Sequence, residues 1–265
     1  MAFLLTEKED LSWTVSDVLA VRNMFTRKLG GVGDLPYSTD PDPAKDAVRA
    51  RVRALWLRLR DLGEFPEEGF CFTHQIHGTV IRSVGASDRT MPPMREYPDD
   101  CDGLITAEKG VPLCVFTADC VPVLFSEPEA GVVCAVHSGW RGTVADMMGA
   151  AVAAITGFGG KPGNIRAAVG PAISRCCFET GPEVKEAVEA LLGADADGLW
   201  APEEGVPGKY MVDLKEANRR RLIQLGVKAE HIDVSPDCTM CMSDVYWSHR
   251  ATAGQRGTMA SIIML

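Results

Sequence analysis

The sequence predicts an α+β fold in which mixed β-sheets are covered by outer helices. Runs rich in valine, leucine and phenylalanine are typical of buried strands, and turn signals such as Glu127-Pro-Glu-Ala-Gly131 separate them. Other segments repeat apolar residues at steps of three and four, the spacing of an amphipathic helix. No internal repeat and no linker divides the chain, so we expect one domain over residues 1–265.

The clearest strand predictions fall between Cys101 and Thr143. Three apolar runs, at 111–116, 121–125 and 132–136, are predicted as strands. Consecutive strands joined by short connections are expected to pair antiparallel. Polar side chains at the strand ends should then lie close together: Asp119, Cys120, His137, Ser138 and Arg141.

Helices and further strands are predicted on both sides of this block. Apolar spacing and terminal glycines predict the helices, at 42–62, 142–158, 182–192 and 214–225. Shorter apolar runs predict the other strands, at 18–25, 70–72, 79–84, 164–170 and 259–265. The glycine-rich segment 27–33 is interpreted as a flexible turn, and 85–100 as a polar loop bordering the site.

Composition limits the classes of partner. The 265 residues include 27 basic and 36 acidic side chains, a net charge of −9, which argues against a nucleic-acid partner. No apolar run approaches the roughly 18 residues of a membrane span, and the charged segment 7–10 is unlike a secretion signal. We therefore expect a cytoplasmic protein without a membrane partner, a monomer or weak homo-oligomer. In that compartment its nine cysteines would be thiols or metal ligands.

Cys120 and His137 together indicate half of a zinc site. A catalytic zinc takes one more protein ligand and keeps one position open. His77 follows the predicted strand 70–72 and is the best third ligand by position, with His74 as its rival. Each residue also has an ordinary structural interpretation, because free cysteine and hydrogen-bonded histidine are both common in protein cores.

Other residues are candidates for binding and proton transfer. Arg141, together with free backbone N–H groups at a predicted helix start, would suit phosphate or another anion. Asp119, beside a predicted ligand, would orient a group or move a proton. The candidates for lining the substrate site are Gln75, Ser138, Arg141, Cys177 and Arg250.

The remaining cysteine motifs are given structural interpretations. Cys176 and Cys177 are adjacent, and on an extended chain their side chains point to opposite sides, so one is expected to pack and the other to line the site. Cys238-Thr-Met-Cys241 is a C-x-x-C motif without a second pair, and we interpret it as packing cysteines.

Several motifs resemble one known family, the YfiH-like laccase-domain family, also described as multicopper polyphenol oxidoreductases and as purine nucleoside phosphorylases. The motifs are Gln75-Ile-His-Gly78, Thr117-Ala-Asp-Cys-Val-Pro-Val123, Val136-His-Ser-Gly-Trp-Arg-Gly142 and Val169-Gly-Pro-Ala-Ile-Ser-Arg-Cys-Cys177. The resemblance covers roughly residues 70–265 in collinear order. It implies a single αββα-layered domain in which zinc is held by His77, Cys120 and His137.

The resemblance also implies an activity. The implied reaction is phosphorolysis of adenosine, inosine and S-methyl-5′-thioadenosine, with adenosine deaminase activity beside it. The chain departs from the family pattern at residues 33–37, at Ala251 and at Thr258, and Arg256 is placed to compensate. These departures bear on the substrate and not on the metal site.

Three alternative functions follow from the same residues. Two histidines and a cysteine also suit a blue-copper centre, and therefore a copper-dependent polyphenol oxidase, but a trinuclear cluster beside it takes on the order of ten histidines and the chain has five. Cys120 with His137 or His77 would also suit a Cys-His hydrolase without metal. A cleft with structural zinc would suit a cell-wall fragment-binding protein, although structural zinc usually has four protein ligands.

Overall fold

Two six-stranded β-sheets form the centre of the protein in the computed structural model, and helices cover their outer faces. The structure describes residues 2–9, 11–28, 46–92 and 99–265. The predicted α+β class, with mixed sheets and flanking helices, is confirmed. Within these ranges, no helix is both long enough and apolar enough to cross a membrane.

The first sheet joins both ends of the chain. In spatial order its strands are β1 (Phe3–Lys8), β2 (Leu11–Ser16), β3 (Arg22–Thr26), β15 (Met259–Met264), β7 (Leu113–Thr117) and β4 (Cys71–Phe72). Neighbours pair antiparallel except β7 and β4, which are parallel. The final strand therefore lies in the middle of the sheet, between β3 and β7.

The second sheet carries most of the predicted site. In spatial order its strands are β14 (Ile232–Val234), β10 (Arg166–Val169), β8 (Val121–Glu127), β9 (Val132–Ser138), β6 (Gly103–Thr106) and β5 (Ile81–Ser83). The outer pairs β14 with β10 and β6 with β5 are parallel, and the inner pairs are antiparallel. The predicted antiparallel pairing of β8 with β9 is confirmed.

Five α-helices, a small third sheet and several short 3-10 helices complete the described elements. The helices are α1 (Asp46–Leu62), α2 (Trp140–Val144), α3 (Met147–Gly157), α4 (Pro182–Leu192) and α5 (Leu214–Gln224). The third sheet has the order β11 (Glu179–Thr180), β13 (Tyr210–Val212) and β12 (Trp200–Pro202). The prediction of a helix over 182–192 matches α4 at both ends.

Three apolar clusters hold these layers together. Between the two sheets, Val115 of β7 and Leu124 of β8 belong to one cluster. On the outer face of the first sheet, Trp56 of α1 is fully buried and its ring lies 5.2 Å from that of Phe72. The largest cluster lies where helices α3, α4 and α5 cover the second sheet. This order of layers, helix, sheet, sheet, helix, buries one face of each helix and both faces of the central strands.

The connection between β7 and β8 differs from the prediction. The two strands were expected to pair as neighbours, but β7 belongs to the first sheet and β8 to the second. The chain passes from one sheet to the other through Ala118, Asp119 and Cys120, and Asp119 adopts a positive φ of 89°. A local apolar run does not specify a strand's partner, and here the partners of β7 come from remote parts of the sequence.

The single helix predicted over 142–158 is two helices in the structure. It is divided into α2 and α3 because Asp146 has a left-handed φ of 68° and interrupts the helical backbone. Its carboxylate accepts the N–H of Gly149 as the cap of α3 and pairs with the Arg221 guanidinium at 2.7 Å. Arg221 is on α5, so a contact distant in sequence accompanies the break.

The amino-terminal prediction was incomplete. Residues 18 and 19, predicted as the start of the strand 18–25, instead belong to a short 3-10 helix at Asp17–Leu19. Strands β1 and β2 were not predicted. The segments 29–33 of the predicted glycine turn, 33–37 of the family departure, 42–45 of the predicted helix and 93–98 of the predicted loop lie outside the described residues.

Candidate metal and substrate site

His77, Cys120 and His137 lie together at one end of the second sheet. Their ligand atoms are all within 4.8 Å of one another. The Cys120 Sγ is 3.9 Å from the His77 Nε2, and the two imidazole centroids are 4.8 Å apart. Donor atoms around one tetrahedral zinc are about 3.3 to 3.8 Å apart, so two imidazoles and a thiolate at these separations fit one metal ion.

The fold explains why these three side chains meet. Cys120 ends the connection between the two sheets, immediately before β8. In the pairing of β8 with β9, Pro122 lies opposite His137, which brings His137 close to Cys120. His77 is on the loop after β4 and has a φ of 64°, an uncommon value for a residue other than glycine. Backbone strain of this kind needs support from surrounding contacts.

Asp102 supplies that support. It is fully buried immediately before β6, and one carboxylate oxygen lies 2.8 Å from the His137 Nδ1. The same carboxylate accepts the backbone N–H groups of Ile76, His77 and Gly78, at 3.2, 2.9 and 2.7 Å. Asp102 therefore positions His137 through the imidazole ring and His77 through the backbone N–H. A histidine that donates from Nδ1 to a carboxylate presents Nε2 to a metal.

The charges of this cluster favour a thiolate. Burial alone would raise the pKa of the Cys120 thiol, but hydrogen bonds and charges from His137 and His77 outweigh it and lower the pKa to about 6. Burial alone would lower the pKa of His137, but Asp102 and Cys120 raise it to about 9. Burial would likewise raise the pKa of Asp102, yet its contacts with His137 and the backbone N–H groups lower it. Metals bind the thiolate form of cysteine, so Cys120 is suited to that role near neutral pH.

Asp119, predicted to act in catalysis, is held by hydrogen bonds inside the protein. Its carboxylate accepts the hydroxyls of Thr239 and Ser248, at 2.6 and 3.1 Å, and the backbone N–H of Arg250 at 2.7 Å. Its own carbonyl accepts the N–H of Ile173. These contacts fix the connection that ends in Cys120 and are typical of a positioning residue.

Ser138 and Arg141 follow His137 in the sequence and were predicted to bind substrate. Ser138 is fully buried. Its hydroxyl forms hydrogen bonds with the Thr143 hydroxyl and with the side-chain oxygen of Asn218. Arg141 is exposed in α2, with its guanidinium 4.5 Å from the centroid of the Trp140 ring. Neither residue is among the described residues that line the cavity beside the three donors.

The other predicted lining residues are distributed differently. Gln75 borders the cavity, and its side-chain amide pairs with the backbone of Phe116 through two 2.7 Å hydrogen bonds. The guanidinium of Arg250 donates to the carbonyl of Glu179. Cys177 lies 3.4 Å from the sulfur of Cys241, in a separate cysteine cluster.

A cavity of about 310 Å³ opens beside the three donors. Its lining consists of Thr73, His74, Gln75, His77, Phe116, Thr117, Ala118, Cys120, His137, Arg256 and Thr258. A volume near 300 Å³ is at the lower end of small-molecule sites. A larger cavity of about 690 Å³ lies near the end of α1, but none of its described lining residues is a histidine or cysteine. The three candidate metal ligands therefore border the smaller cavity.

Most of the chain matches one known protein family. The family model described as multi-copper polyphenol oxidoreductase laccase matches residues 22–265. The chain belongs to this family. The family resemblance predicted from the sequence is thereby confirmed.

Relatives of this laccase-domain protein are described as purine nucleoside phosphorylases. The YlmD protein of Geobacillus stearothermophilus, so described, is 37% identical over 249 residues, covering 90% of this chain and 88% of the relative. The Bacillus subtilis YlmD protein, with the same description, is 34% identical and covers 90% and 86%. A purine nucleoside phosphorylase of Deinococcus radiodurans is 37% identical and covers 93% and 90%.

Solved structures of the family share the fold. The crystal structure of Geobacillus stearothermophilus YlmD has a TM-score of 0.85 at 34% identity and covers 99% of this chain and 98% of that one. The crystal structure of the Bacillus licheniformis hypothetical protein YfiH has a TM-score of 0.86 at 29% identity, with the same coverage. The layered arrangement described above is thus the fold of known family members.

Asp102 is the main site residue that sequence reasoning missed. The available signal was an acidic residue in Cys101-Asp-Gly103, immediately before a strand whose four residues are all buried. Gly139 was also missed, and in the folded protein it lies against both His77 and Cys120. A Cβ at Gly139 would lie 2.9 Å from the His77 ring and 3.1 Å from the Cys120 sulfur. No local pattern reveals such a close approach.

Proposed function

We propose that this laccase-domain protein is a zinc-dependent purine nucleoside phosphorylase. Its substrates would be adenosine, inosine and S-methyl-5′-thioadenosine, with adenosine deaminase activity at the same site. The observation that carries the proposal is the convergence of His77, Cys120 and His137 on one cavity, in a chain whose relatives over about nine-tenths of its length are described as purine nucleoside phosphorylases.

His77, Cys120 and His137 would hold the metal. Zinc bound by three protein ligands supplies a Lewis acid with one open position. Asp102 keeps the Nδ1 of His137 occupied and fixes the loop of His77 through backbone hydrogen bonds. Asp119 holds the connection that carries Cys120. The three donors are therefore fixed before substrate arrives, which limits reorganisation during the reaction.

The cavity offers groups that suit a nucleoside and an anion. Thr73, Thr117, Thr258 and Phe116 provide mixed polar and apolar lining. Arg256 is the arginine among the described lining residues, and its guanidinium would attract phosphate. In phosphorolysis, a phosphate oxygen bonds to the ribose C1′ and the bond from C1′ to the purine nitrogen breaks, so the base leaves with that electron pair and takes up a proton. In deamination, water adds at C6 and ammonia leaves.

Copper-dependent oxidation of phenols is less well supported by the side chains present. All five histidines lie in the described part of the chain, and two of them belong to the donor group at the cavity. The other group among the described residues that could hold a metal consists of four cysteines. A trinuclear copper cluster would need imidazoles that neither group provides.

A Cys-His hydrolase has one specific observation in its favour. The lowered pKa of Cys120 beside His137 is also the property of an activated thiol nucleophile. In that mechanism the cysteine would form a covalent intermediate, and removal of metal would not reduce turnover. Activity measured before and after chelation therefore separates the two functions.

The test combines metal analysis with product analysis. Purified protein would be assayed for bound zinc and then given adenosine with and without phosphate, and adenine and inosine would be separated. Adenine formed only with phosphate indicates phosphorolysis, and inosine formed without phosphate indicates deamination. Full turnover by protein stripped of metal would contradict the proposal.

A pair of histidine variants sharpens this test. His77→Ala removes a proposed ligand, so we expect loss of bound zinc and of both activities. His74→Ala is the matched control, because His74 lines the same cavity but pairs with Asp100 through its Nδ1, at 2.6 Å. This control should retain its zinc. If His74→Ala lost its zinc and His77→Ala kept it, His74 would be the metal ligand and His77 would not.

A further inference from the structure

We propose that Cys176, Cys177, Cys238 and Cys241 form a second metal site, a structural zinc bound by four cysteines. Their sulfur atoms all lie within 4.8 Å of one another. The Cys241 sulfur is 3.5 Å from that of Cys176 and 3.4 Å from that of Cys177. With zinc–sulfur bonds of about 2.3 Å, sulfurs at the corners of a tetrahedron are about 3.8 Å apart. The cluster therefore has the ligand type, number and spacing of a tetrahedral zinc site.

The local backbone explains how two adjacent cysteines reach one point. On an extended chain their side chains would point apart, which led to the opposite prediction from the sequence. Instead residues 175–177 form a turn, in which the carbonyl of Ser174 accepts the N–H groups of Cys177 and Phe178, at 2.9 and 3.1 Å. The turn abolishes the alternation of a strand, so the Cys176 and Cys177 sulfurs both lie near Cys241.

The second pair of cysteines comes from a turn of its own. The carbonyl of Cys238 accepts the N–H of Met242 at 3.0 Å, which closes the C-x-x-C segment into a tight loop. The sulfur of Cys238 accepts the backbone N–H of Ser174 at 3.4 Å, so the two turns are also joined directly. N–H groups directed at a cysteine sulfur stabilise the thiolate, the form that binds metal.

A buried lysine supplies an independent observation. Lys215 is only 5% exposed, and its Nζ donates to the carbonyls of Ser235 and Asp237, at 2.8 and 2.9 Å. The described ion pairs include no carboxylate partner for it. A buried ammonium group needs a negative counter-charge. Asp213 is the largest charge acting on Lys215, followed by Cys238, Asp237 and Cys176. Four thiolates around a divalent ion carry a net charge of −2, which would add to the counter-charge of the two aspartates.

The remaining cysteines show that this grouping is specific. Cys71, Cys101, Cys114 and Cys134 are buried in the core, and none of them belongs to a metal-binding group of the described residues. In contrast, Cys176 and Cys241 are exposed and Cys177 is half-buried. Packing in the core therefore does not account for the exposed cysteines of the cluster.

The proposed zinc would also support the active site. Thr239 follows Cys238 directly, and its hydroxyl donates to the Asp119 carboxylate beside Cys120. Its backbone N–H donates to the carbonyl of Ala172, on the segment that leads to Cys176. A metal that ties the two turns together would hold Thr239 against Asp119 and so help to fix the segment that carries Cys120. Its role is structural, since four protein ligands leave no position open.

Zinc content of paired variants tests the proposal. The double variant Cys176→Ser with Cys241→Ser changes two exposed side chains, and Cys120→Ser removes the proposed ligand of the other site. We expect two zinc ions per wild-type chain and one in each variant, with none left when all three substitutions are combined. Equal zinc content in wild type and the double variant, after both are shown to fold by circular dichroism, would overturn the proposal.

Cobalt binding identifies the ligands directly. Metal-free wild-type protein titrated with Co²⁺ should develop intense thiolate-to-cobalt charge-transfer absorption, which Cys120→Ser should largely retain and the double variant should largely lose. If the double variant does not fold, alkylation of wild-type protein followed by mass spectrometry replaces it. The four cysteines should be protected until a chelator is added. Immediate alkylation of all four, or a disulfide among them in protein purified with reductant, would overturn the proposal. Because Cys120→Ser separates the two sites, either proposal can fail without the other.

Discussion

The carboxylate of Asp102 contacts the Nδ1 of His137 at 2.8 Å and the backbone N–H of His77 at 2.9 Å. One fully buried side chain thus fixes two residues that come from different segments of the chain. The negative charge of the Asp102 carboxylate strengthens both hydrogen bonds, and a neutral side chain at this position would weaken them.

We predict that Asp102→Asn weakens zinc binding about 10- to 100-fold, the usual effect of changing the group behind a metal-binding histidine. An asparagine NH₂ in place of Oδ2 would also face the backbone N–H groups of Ile76 and Gly78, which would then lack an acceptor. Competition with a chelator measures the affinity. Asp100→Asn is the matched control, because Asp100 contacts His74 at 2.6 Å but belongs to an exposed pair. Equal affinities for Asp102→Asn and wild type would show that the carboxylate does not act on the metal site.

Gly139 provides a steric test of the same site. Its φ of −65° is open to any residue, so backbone strain does not enter. A Cβ there would meet the His77 ring at 2.9 Å and the Cys120 sulfur at 3.1 Å. We predict that Gly139→Ala lowers turnover about 10- to 100-fold by displacing these side chains.

The control for this steric test is Gly157→Ala. Gly157 ends α3, and a Cβ there would meet no atom within 4 Å. Alanine favours a helix over glycine, so this variant should be as active as wild type and at least as stable. Thermal unfolding and turnover of both variants would be compared. Normal turnover by Gly139→Ala would mean that the two ligands can move apart without consequence.

The sequence predicted the strands around the site better than their partners. The runs that became β8 and β9 were recognised because nearly every residue is apolar, as expected of strands buried on both faces. Placement of β7 in the other sheet depends on β15, which comes from the end of the chain. Such pairing is decided by packing between remote segments, and no local pattern encodes it.

The candidate site shows the same limit. Cysteine and histidine at the ends of apolar strands were enough to nominate Cys120 and His137, and position after a predicted strand added His77, with His74 as its rival. Asp102 was missed since a single acidic residue has no distinctive spacing. The cysteine cluster was missed because the C-x-x-C motif was judged without its partners, whereas the turn at 175–177 brings them to it.

The thiol of Cys120 should titrate unusually low in metal-free protein. Its pKa is lowered to about 6 by His137 and His77 against the effect of burial, so the thiolate is present above that pH. The His137 pKa is raised to about 9, so between about pH 6 and pH 9 a thiolate faces an imidazolium. We predict that alkylation of Cys120 by iodoacetamide rises with pH around a midpoint near 6.

The alkylation experiment has an internal reference and a variant. Burial raises the pKa of Cys71 to about 12, so Cys71 should stay unmodified over the same pH range. In His77→Ala the midpoint for Cys120 should move upward, because one stabilising partner is gone. Mass spectrometry of each peptide gives both rates. An unchanged midpoint in this variant would show that His77 does not interact with the thiolate.

Arg256 and Arg250 offer a direct comparison of two arginines. Arg256 lines the cavity beside the three donors, whereas the guanidinium of Arg250 donates to the Glu179 carbonyl and lies 5.7 Å from the centroid of the Phe178 ring. We predict that Arg256→Ala raises the KM for phosphate about tenfold, since a charged hydrogen bond contributes about 1.5 kcal/mol and about 1.4 kcal/mol corresponds to a factor of ten. Arg250→Ala should change this KM less. Steady-state phosphorolysis at varied phosphate measures both. A larger effect at Arg250 than at Arg256 would contradict the assignment of phosphate binding to Arg256.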